Sequence, residues 1–428
     1  MRRNWVFGDL LSQLFERTGQ VWGNDDTRSL IELCEALLSA EGEVSGYKLA
    51  ATLLDRYRMS DDIEKLDFFH HLNDALDLDA RQIEALAQDY AETPSLASFQ
   101  ALSEASEPRR QELLRRLNQP VGATDALVAM RVDLLRFVKT HPNLMRTDVD
   151  FKHLLRSWFN RGFLVLKQIS WDTPARILDK IVAYEAVHRI NDFDDLRRRL
   201  SPPDRRCFAF FHPSMPDEPL IFVEVALTAG VPNSIAALLE EDREPMNPAQ
   251  AKAAVFYSIS NCQKGLAGIS FGNLLIKQVV AELSLELPRL ETFVTLSPIP
   301  RLMQWLDTQS LDSSAPKRGA SDGDDSDLKN LAAHYLLCAK RADGMPFDPV
   351  ARFHLGNGAE IYDIHAGADL SENGLTQSGG AMVNYLYDLR RTERNHENFA
   401  TTGAIQATRA VQAMASAVLD NKTKENVA

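Results

Sequence analysis

Apolar residues recur at intervals of three and four positions through roughly the first 150 residues, which is the spacing of an amphipathic helix. Four segments show this pattern: SLIELCEALLSAEG, GYKLAATLLDRYR, ARQIEALAQDYAE and TDALVAMRVDLLRFVKTHP. In the last segment, Thr124 is placed to cap the helix and Pro142 to end it. Because glycine is scarce and no alternating pattern is present, we predict an all-helical domain over residues 1–152.

From about residue 160 onwards, short apolar runs typical of strands alternate with segments of helical spacing. FLVLKQI, CFAFFH and PLIFVEVALT are predicted strands, and TPARILDKIVAYEAVHRI is a predicted helix with Pro174 in its first turn. RFHL and AEIYDIH are predicted to form a hairpin across the turn Gly356-Asn357-Gly358. The predicted fold class is therefore α+β, with the helical domain followed by a mixed α/β domain over residues 153–428.

The stretch from Ala254 to Pro300 predicts a strand, a glycine-bearing loop, an amphipathic helix ended by Pro288, and a second strand. The glycines between strand and helix are Gly265, Gly268 and Gly272. Glycine lets backbone amides approach a bound anion, and the first amides of a helix attract a phosphate. A tight connection that binds no ligand explains the same spacing equally well. The loop is not a Walker motif, because no Gly-Lys-Ser/Thr opens the helix.

Composition narrows the class of protein. The chain has 428 residues, a formal charge of −13, 45% hydrophobic and 25% charged residues. This balance favours a soluble protein with a sizeable core and argues against general binding to nucleic acid or an acidic membrane. The four cysteines form no CxxC pair, so neither a zinc site nor a disulfide scaffold is predicted. With no predicted signal peptide, transmembrane run or terminal Ser-Lys-Leu, we expect a cytoplasmic protein.

Several long blocks resemble malonyl-CoA decarboxylase. Along the chain they are HPSMPDEPLIFVEVALT, GLAGISFGNLLIKQVV, TLSPIP and FHLGNGAEIYDIHAGADLSENGLTQSGGAMVNYLYDL, and this is also their order in that family. The resemblance implies a catalytic domain with the Gcn5-related acetyltransferase fold, malonyl-CoA as substrate and acetyl-CoA as product. It also implies a homotetramer with its helical domains at the contacts. No metal or separate cofactor is implied, because coenzyme A enters as part of the substrate.

The resemblance also assigns residues to the coenzyme A pyrophosphate. They are Ala267, Gly268, Ile269, Ser270, Phe271, Gly272 and Asn273. The acetyltransferase loop normally reads Gln/Arg-Gly-x-Gly-x-Gly/Ala. Here Ala267 replaces the Gln/Arg and Ser270 the central glycine, so backbone amides rather than side chains are expected to bind the phosphates.

Decarboxylation of malonyl-CoA needs an oxyanion stabiliser and one proton delivered to carbon, which a hydroxyl and a histidine can supply. The family's serine in SPIP matches Ser297, and its histidine in FHxxNG matches His354. On the predicted hairpin, His354 points away from its two apolar neighbours. His212 and His365 are rival proton donors, and Glu224 is either a supporting partner of an imidazole or a solvated strand residue.

Two other functions stay open from the residues. One is a coenzyme-A-dependent acyltransferase on the same fold, which needs a polar acceptor channel. The other is a non-catalytic coenzyme-A-binding assembly protein, which is favoured if Ser297 and His354 lie far apart. The resemblance favours the decarboxylase over both.

Overall fold

The computed structural model describes residues 26–269, 272–310 and 325–425, and the chain divides into two compact units. Within the described residues, the first unit contains 26–165, His212–Pro216 and 263–269, and the second contains Leu166–Phe211, Asp217–Cys262, 272–310 and 325–425. Across these residues, no helix has both the length and the apolar content needed to cross a bilayer.

The first unit is built from helices, as predicted. Its α-helices are Leu30–Ser39, Glu43–Met59, Asp62–Asp74, Ala80–Glu92, Leu96–Ala105, Arg109–Leu117, Ala123–Phe137 and Met145–Trp158. The unit also contains short 3-10 helices at Pro142–Leu144, Arg161–Phe163 and Lys264–Leu266. No strand lies between residues 26 and 164, so the predicted all-helical character of this part of the chain is confirmed for what the structure describes.

Side-chain caps begin several of these helices. Ser29 and Glu32 form a capping box at the first, because the serine side chain accepts from the Glu32 amide and the glutamate from the Ser29 amide. The predicted cap at Thr124 is wrong. The helix begins at Ala123 after Gly122, whose φ of 78° is left-handed, and Thr124 Oγ1 instead donates to Asn118 Oδ1 at 2.8 Å.

The described strands form one sheet with the order β1-β2-β3-β4-β5-β8-β6, in which β7 also pairs with β8. They are β1 Val165–Ile169, β2 Arg205–Phe211, β3 Ile221–Thr228, β4 Ala253–Asn261, β5 Thr292–Thr295, β6 Ser297–Pro298, β7 Glu360–His365 and β8 Met382–Leu386. The strand β3 is buried at every position but its last, which explains why its residues are apolar apart from Glu224 and the terminal Thr228. The predicted strands CFAFFH and PLIFVEVALT are confirmed as β2 and β3.

The second unit surrounds this sheet with helices. They are Ala175–Tyr184, Phe193–Leu200, Ile235–Leu239, Gly272–Glu286, Leu302–Ser310, Asp325–Cys338, Pro349–Gly356, Glu372–Ser378, Thr392–Thr402 and Arg409–Glu425. Pro174 was predicted inside a first helical turn, but it immediately precedes the helix Ala175–Tyr184. The α+β fold class is confirmed.

The neighbouring strands β4 and β5 are parallel. β4 and β5 pair from Ala253–Thr292 to Phe256–Thr295, whereas β3–β4, β5–β8, β6–β8 and β7–β8 are antiparallel. The Leu296 amide still bonds to the Phe256 carbonyl at 3.1 Å, but β4 continues to Asn261 after its pairing with β5 has ended. The second half of β4, from Tyr257 to Asn261, is therefore not paired with β5.

The predicted hairpin of RFHL and AEIYDIH is wrong in its first arm. AEIYDIH is strand β7, but RFHL belongs to the helix Pro349–Gly356. Asp348 caps this helix by accepting from the Ala351 amide at 2.8 Å, and Pro349 occupies its first turn. Ala351, His354 and Leu355 are its buried residues, a spacing of three and four that belongs to a helix.

Candidate active site

Ser297 is placed by the sheet. It follows Leu296 and forms the short strand β6 with Pro298, which pairs antiparallel with β8 through Ser297–Val383. Its side chain is buried, and its hydroxyl donates to Thr295 Oγ1 at 2.8 Å. Because Thr295 Oγ1 also accepts from the Tyr385 amide at 3.2 Å, the hydroxyl is anchored to two strands.

His354 is placed by the helix Pro349–Gly356 and is only 3% exposed. Its ring stacks on Tyr385 with centroids 4.5 Å apart and an interplanar angle of 23°. Stacking against a residue of β8 fixes the plane of the imidazole, so both ring nitrogens point in defined directions. Although the predicted secondary structure was wrong, the histidine lies beside the predicted serine.

A chain of hydrogen bonds connects these side chains. His354 Nε2 lies 3.2 Å from Ser297 Oγ, and His354 Nδ1 lies 2.8 Å from the Tyr387 hydroxyl. Since the serine proton is directed to Thr295, Nε2 carries a proton and donates to Ser297 Oγ. Nδ1 then accepts from Tyr387. The arrangement is a hydrogen-bonded chain of a serine hydroxyl, an imidazole and a tyrosine hydroxyl that orients the imidazole.

Burial sets the protonation state of this group. It lowers the pKa of His354 from its ordinary value of 6.5 to about 3, because a buried imidazolium has lost its hydration. Burial also raises the pKa of the Tyr387 hydroxyl well above its ordinary value. At neutral pH the imidazole is therefore neutral and Tyr387 is protonated, as the direction of the hydrogen bonds requires.

Ser297 and His354 line a cavity of about 360 Å³ in the second unit. It occupies the space left where β4 diverges from β5. Its lining residues are Val187, Phe256, Tyr257, Ile259, Asn261, Ser297, Pro298, Pro349, Val350, Phe353 and His354. All of them are uncharged at neutral pH, so the cavity suits an acyl group presented to a hydroxyl and an imidazole.

The rival histidines have other partners. His212 belongs to the first unit, where Nδ1 accepts from the Ser214 amide and Nε2 therefore donates to the Trp158 carbonyl at 3.1 Å. His365 Nε2 lies 2.5 Å from Asn384 Oδ1. Neither histidine lines the cavity or is hydrogen-bonded to Ser297.

Glu224 was expected either to support an imidazole or to be solvated, and the structure shows neither. It is fully buried on β3 and accepts from Arg199 Nη1 at 3.2 Å. Burial raises the pKa of its carboxyl above the ordinary value. Its partner is thus a buried arginine.

The predicted coenzyme A residues lie partly in the loop of the first unit and partly at the start of a helix of the second unit. Gly268 has a left-handed φ of 76°, which favours glycine, and the Ala267 carbonyl accepts from Arg131 Nη1 at 3.0 Å. Ile269 is buried. Gly272 and Asn273 open the helix Gly272–Glu286, while the predictions for Ser270 and Phe271 lie outside the described residues.

The sequence reasoning missed Thr295, Tyr385 and Tyr387. Thr295 lies two residues before Ser297, a spacing that places both side chains on the same face of a strand, and this signal was available. The two tyrosines lie 31 and 33 positions after His354 in the sequence, and strand β7 comes between. No local pattern connects them to the histidine, and only the pairing of β8 brings them there.

Comparison with known proteins gives a consistent result. The family model described as malonyl-CoA decarboxylase N-terminal domain matches residues 76–159, and that of the C-terminal domain matches 162–325 and 316–427. The chain is 35% identical over 358 residues to "Malonyl-CoA decarboxylase, mitochondrial" of Anser anser anser, covering 73% of this chain and 71% of the relative. The Mus musculus protein of the same name is 34% identical over 360 residues, covering 73% and 72%.

Solved structures agree. The crystal structure of malonyl-CoA decarboxylase from Rhodopseudomonas palustris matches with a TM-score of 0.83 and 50% identity, covering 90% of this chain and 98% of that one. The Agrobacterium vitis structure of the same name matches with a TM-score of 0.84 and 46% identity, covering 90% and 99%.

Proposed function

The chain belongs to the malonyl-CoA decarboxylase family, and we propose that it converts malonyl-CoA to acetyl-CoA and CO2 with Ser297 and His354 as the acting pair. One observation carries the assignment of the pair. Ser297 Oγ and His354 Nε2 lie 3.2 Å apart, although 57 positions separate the two residues, and both line the same cavity.

The reaction breaks the bond between the carboxylate carbon and the α-carbon. The electron pair of that bond moves into the thioester as an enolate, CO2 departs, and the α-carbon then takes one proton. Because the thioester carbonyl accepts the electrons, the proposal invokes no metal or organic cofactor. The protein must hold the carboxylate out of the carbonyl plane, stabilise the oxyanion and supply the proton.

In this proposal Ser297 holds the malonyl group and His354 is the source of the proton. The Nε2 proton points at Ser297 Oγ, so the serine hydroxyl can pass a proton to carbon while it receives one from the imidazole. The Tyr387 hydroxyl, 2.8 Å from Nδ1, stabilises the negative charge that builds up on the ring. The pair gives one proton to carbon and regains one from solvent, so the net reaction consumes one solvent proton as the carboxylate charge is lost.

The decisive experiment is incubation with malonyl-CoA in the absence of any acyl acceptor. We expect CO2 and acetyl-CoA in equal amounts, whereas an acyltransferase would release neither. His354→Asn and Ser297→Ala should each lower kcat by on the order of 10²–10⁴, the usual value of a positioned acid–base group. Turnover per folded molecule within about threefold of wild type in either variant would remove that residue from the mechanism.

We further propose that the segment Ala267–Asn273 binds the coenzyme A pyrophosphate. The left-handed φ of Gly268 and the helix start at Gly272 support this assignment. Gly268→Val should weaken coenzyme A binding in calorimetric titration, because valine at this φ distorts the loop. Unchanged affinity in a folded variant would place the phosphates elsewhere.

The homotetramer is proposed to form through the helical domain. Several large apolar side chains of the first unit are exposed, including Leu96 at 72% and Phe99 at 52%, which favours contacts with other copies. Phe99→Glu should reduce the mass measured by light scattering. The control is Leu285→Glu, an 80% exposed leucine of the second unit, which should leave the mass unchanged. Equal masses for both variants and the wild type would contradict the proposal.

A further inference from the structure

A buried arginine holds the glycine-bearing loop of the first unit. Arg131 lies on the helix Ala123–Phe137 and is 1% exposed. Its Nη1 donates to the Gly265 carbonyl at 2.6 Å and to the Ala267 carbonyl at 3.0 Å. Two carbonyl groups of the loop are therefore turned toward this one guanidinium.

The charge of Arg131 is compensated locally. Its Nε donates to Asp148 Oδ1 at 2.7 Å, and Nη2 to Oδ2 at 3.3 Å. A two-point contact of this kind fixes the guanidinium plane as well as its position. Arg131 is thus a structural link, and its charge is not available to a ligand of the loop.

The loop also approaches the helix Ala123–Phe137 very closely. A Cβ added to Gly265 would lie 2.0 Å from the Val128 carbonyl oxygen, so only glycine permits this contact. Together with Arg131, the contact seats the loop firmly on the helix. Anything that binds to this loop meets a preformed surface.

A second cation lies over the loop. Lys152 belongs to the helix Met145–Trp158, one turn after Asp148. A Cβ built on Gly268 would lie 3.0 Å from Lys152 Nζ and 3.2 Å from Cε, so the ammonium group lies directly above that glycine.

The acidic residues of the same helix are already engaged. Asp148 pairs with Arg131 and Asp150 with Arg110, and Lys152 makes no ion pair with any residue that the structure describes. Lys152 therefore brings an uncompensated positive charge to the loop, within a chain whose formal net charge is −13.

We propose that Lys152 binds a phosphate of the coenzyme A moiety at Gly268 and so determines specificity for the nucleotide end of the substrate. The inference rests on the proposed function. A lysine ammonium is a compact cation with three donors, and it binds phosphate as a point charge. Because the group lies over the loop, it complements the backbone amides that the resemblance assigns to the pyrophosphate. The 3′-phosphate of the nucleotide has the same chemistry, and the substrates below distinguish the two sources.

The test measures steady-state kinetics of the full-length protein carrying Lys152→Met. We expect KM for malonyl-CoA to rise about tenfold with kcat within twofold, because a charged hydrogen bond made equally in ground and transition states is lost. Lys139→Met removes an exposed lysine beyond the end of the helix Ala123–Phe137 and should leave KM unchanged. Lys152→Arg should retain most of the affinity.

A truncated substrate separates phosphate binding from a general defect. The malonyl thioester of N-acetylcysteamine carries no phosphate, so wild type and Lys152→Met should turn it over equally. Malonyl-dephospho-CoA, which lacks the 3′-phosphate, locates the contact. If KM for this substrate is still raised in Lys152→Met, Lys152 contacts the pyrophosphate. If KM equals that of the wild type, Lys152 contacts the 3′-phosphate. Calorimetric titration with coenzyme A provides a readout that does not depend on activity.

Two results would overturn the inference. One is an unchanged KM for malonyl-CoA in Lys152→Met, and the other is an equal loss with the phosphate-free thioester. Both presuppose that the wild type releases CO2 from malonyl-CoA. If it does not, the proposed function fails, and the calorimetric titration still decides whether Lys152 binds coenzyme A.

Discussion

The hydroxyl of Tyr387 offers the sharpest test of how the histidine is held. Tyr387→Phe removes one oxygen atom and keeps the ring, which is 3% exposed. The change leaves His354 Nδ1 without the donor that lies 2.8 Å away, in a place that water does not reach freely. The stacking of His354 on Tyr385 and its contact with Ser297 are untouched.

The magnitude follows from what this hydrogen bond does. It selects the tautomer with the proton on Nε2, and a typical intramolecular hydrogen bond contributes about 0.5–1.5 kcal/mol. At about 1.4 kcal/mol for each factor of ten, losing it lowers the fraction of the productive tautomer by roughly two- to tenfold. We therefore expect kcat to fall up to about tenfold, far less than in His354→Asn. The buried nitrogen left unpaired should lower the free energy of unfolding by about 1–3 kcal/mol.

A matched control, Tyr385, lies two residues earlier, on strand β8. The hydroxyl of Tyr385 is buried and has no hydrogen-bond partner within the described part of the chain. Tyr385→Phe therefore removes the same group from a residue that touches the same imidazole, and kcat should stay within about twofold of wild type. Both variants need kcat, KM and denaturant unfolding measured on the same preparation. Equal kcat values for Tyr387→Phe and Tyr385→Phe would refute the orienting role of Tyr387.

Four further predictions concern the serine–histidine pair and the glycine-bearing loop. In the proposed mechanism Ser297 and His354 act as a unit, so the double variant should lose less rate than the product of the two single losses, measured as kcat of all four enzymes. Burial lowers the pKa of His354 to about 3 in the enzyme without substrate, so the pH profile of kcat/KM should show no histidine titration near pH 6.5. A change of slope in that profile near pH 6.5 would mean that an imidazolium reacts. The same shift makes unfolding easier as pH falls from 6.5 toward 3, because only the unfolded imidazole takes up a proton readily. Gly265→Ala places a Cβ 2.0 Å from the Val128 carbonyl and should lower Tm, with a raised KM for malonyl-CoA.

The sequence predicted those elements in which burial follows a regular period. The helix Leu30–Ser39 buries one stripe of apolar residues, and β2 and β3 are buried almost throughout, so their patterns report their environment directly. The helix Pro349–Gly356 was missed because RFHL is too short to distinguish a period of two from one of 3.6. The better signal was Asp348 before Pro349, a cap followed by the residue that favours a first turn.

The candidate site was predictable only in part. The resemblance led to Ser297 and His354, and the structure brings these two side chains together. Tyr387 could not be found from its neighbours, because its position depends on the pairing of β7 with β8 and on the burial of its hydroxyl beside an imidazole. Glu224 was misjudged for a similar reason, since an acidic residue in a strand pattern does not reveal the buried arginine that contacts it.

The uncharged lining of the cavity bears on how the enzyme responds to its own product. In the proposed site, malonyl would bring a carboxylate into a space whose described walls carry no charge at neutral pH, whereas acetyl would bring none. Moving an ion out of water into such a space is unfavourable, and the reaction removes that ion. The acyl end of acetyl-CoA should therefore bind at least as well as that of malonyl-CoA, while both share the same nucleotide contacts. Acetyl-CoA then competes with the substrate, and flux follows the ratio of the two thioesters rather than the concentration of malonyl-CoA alone.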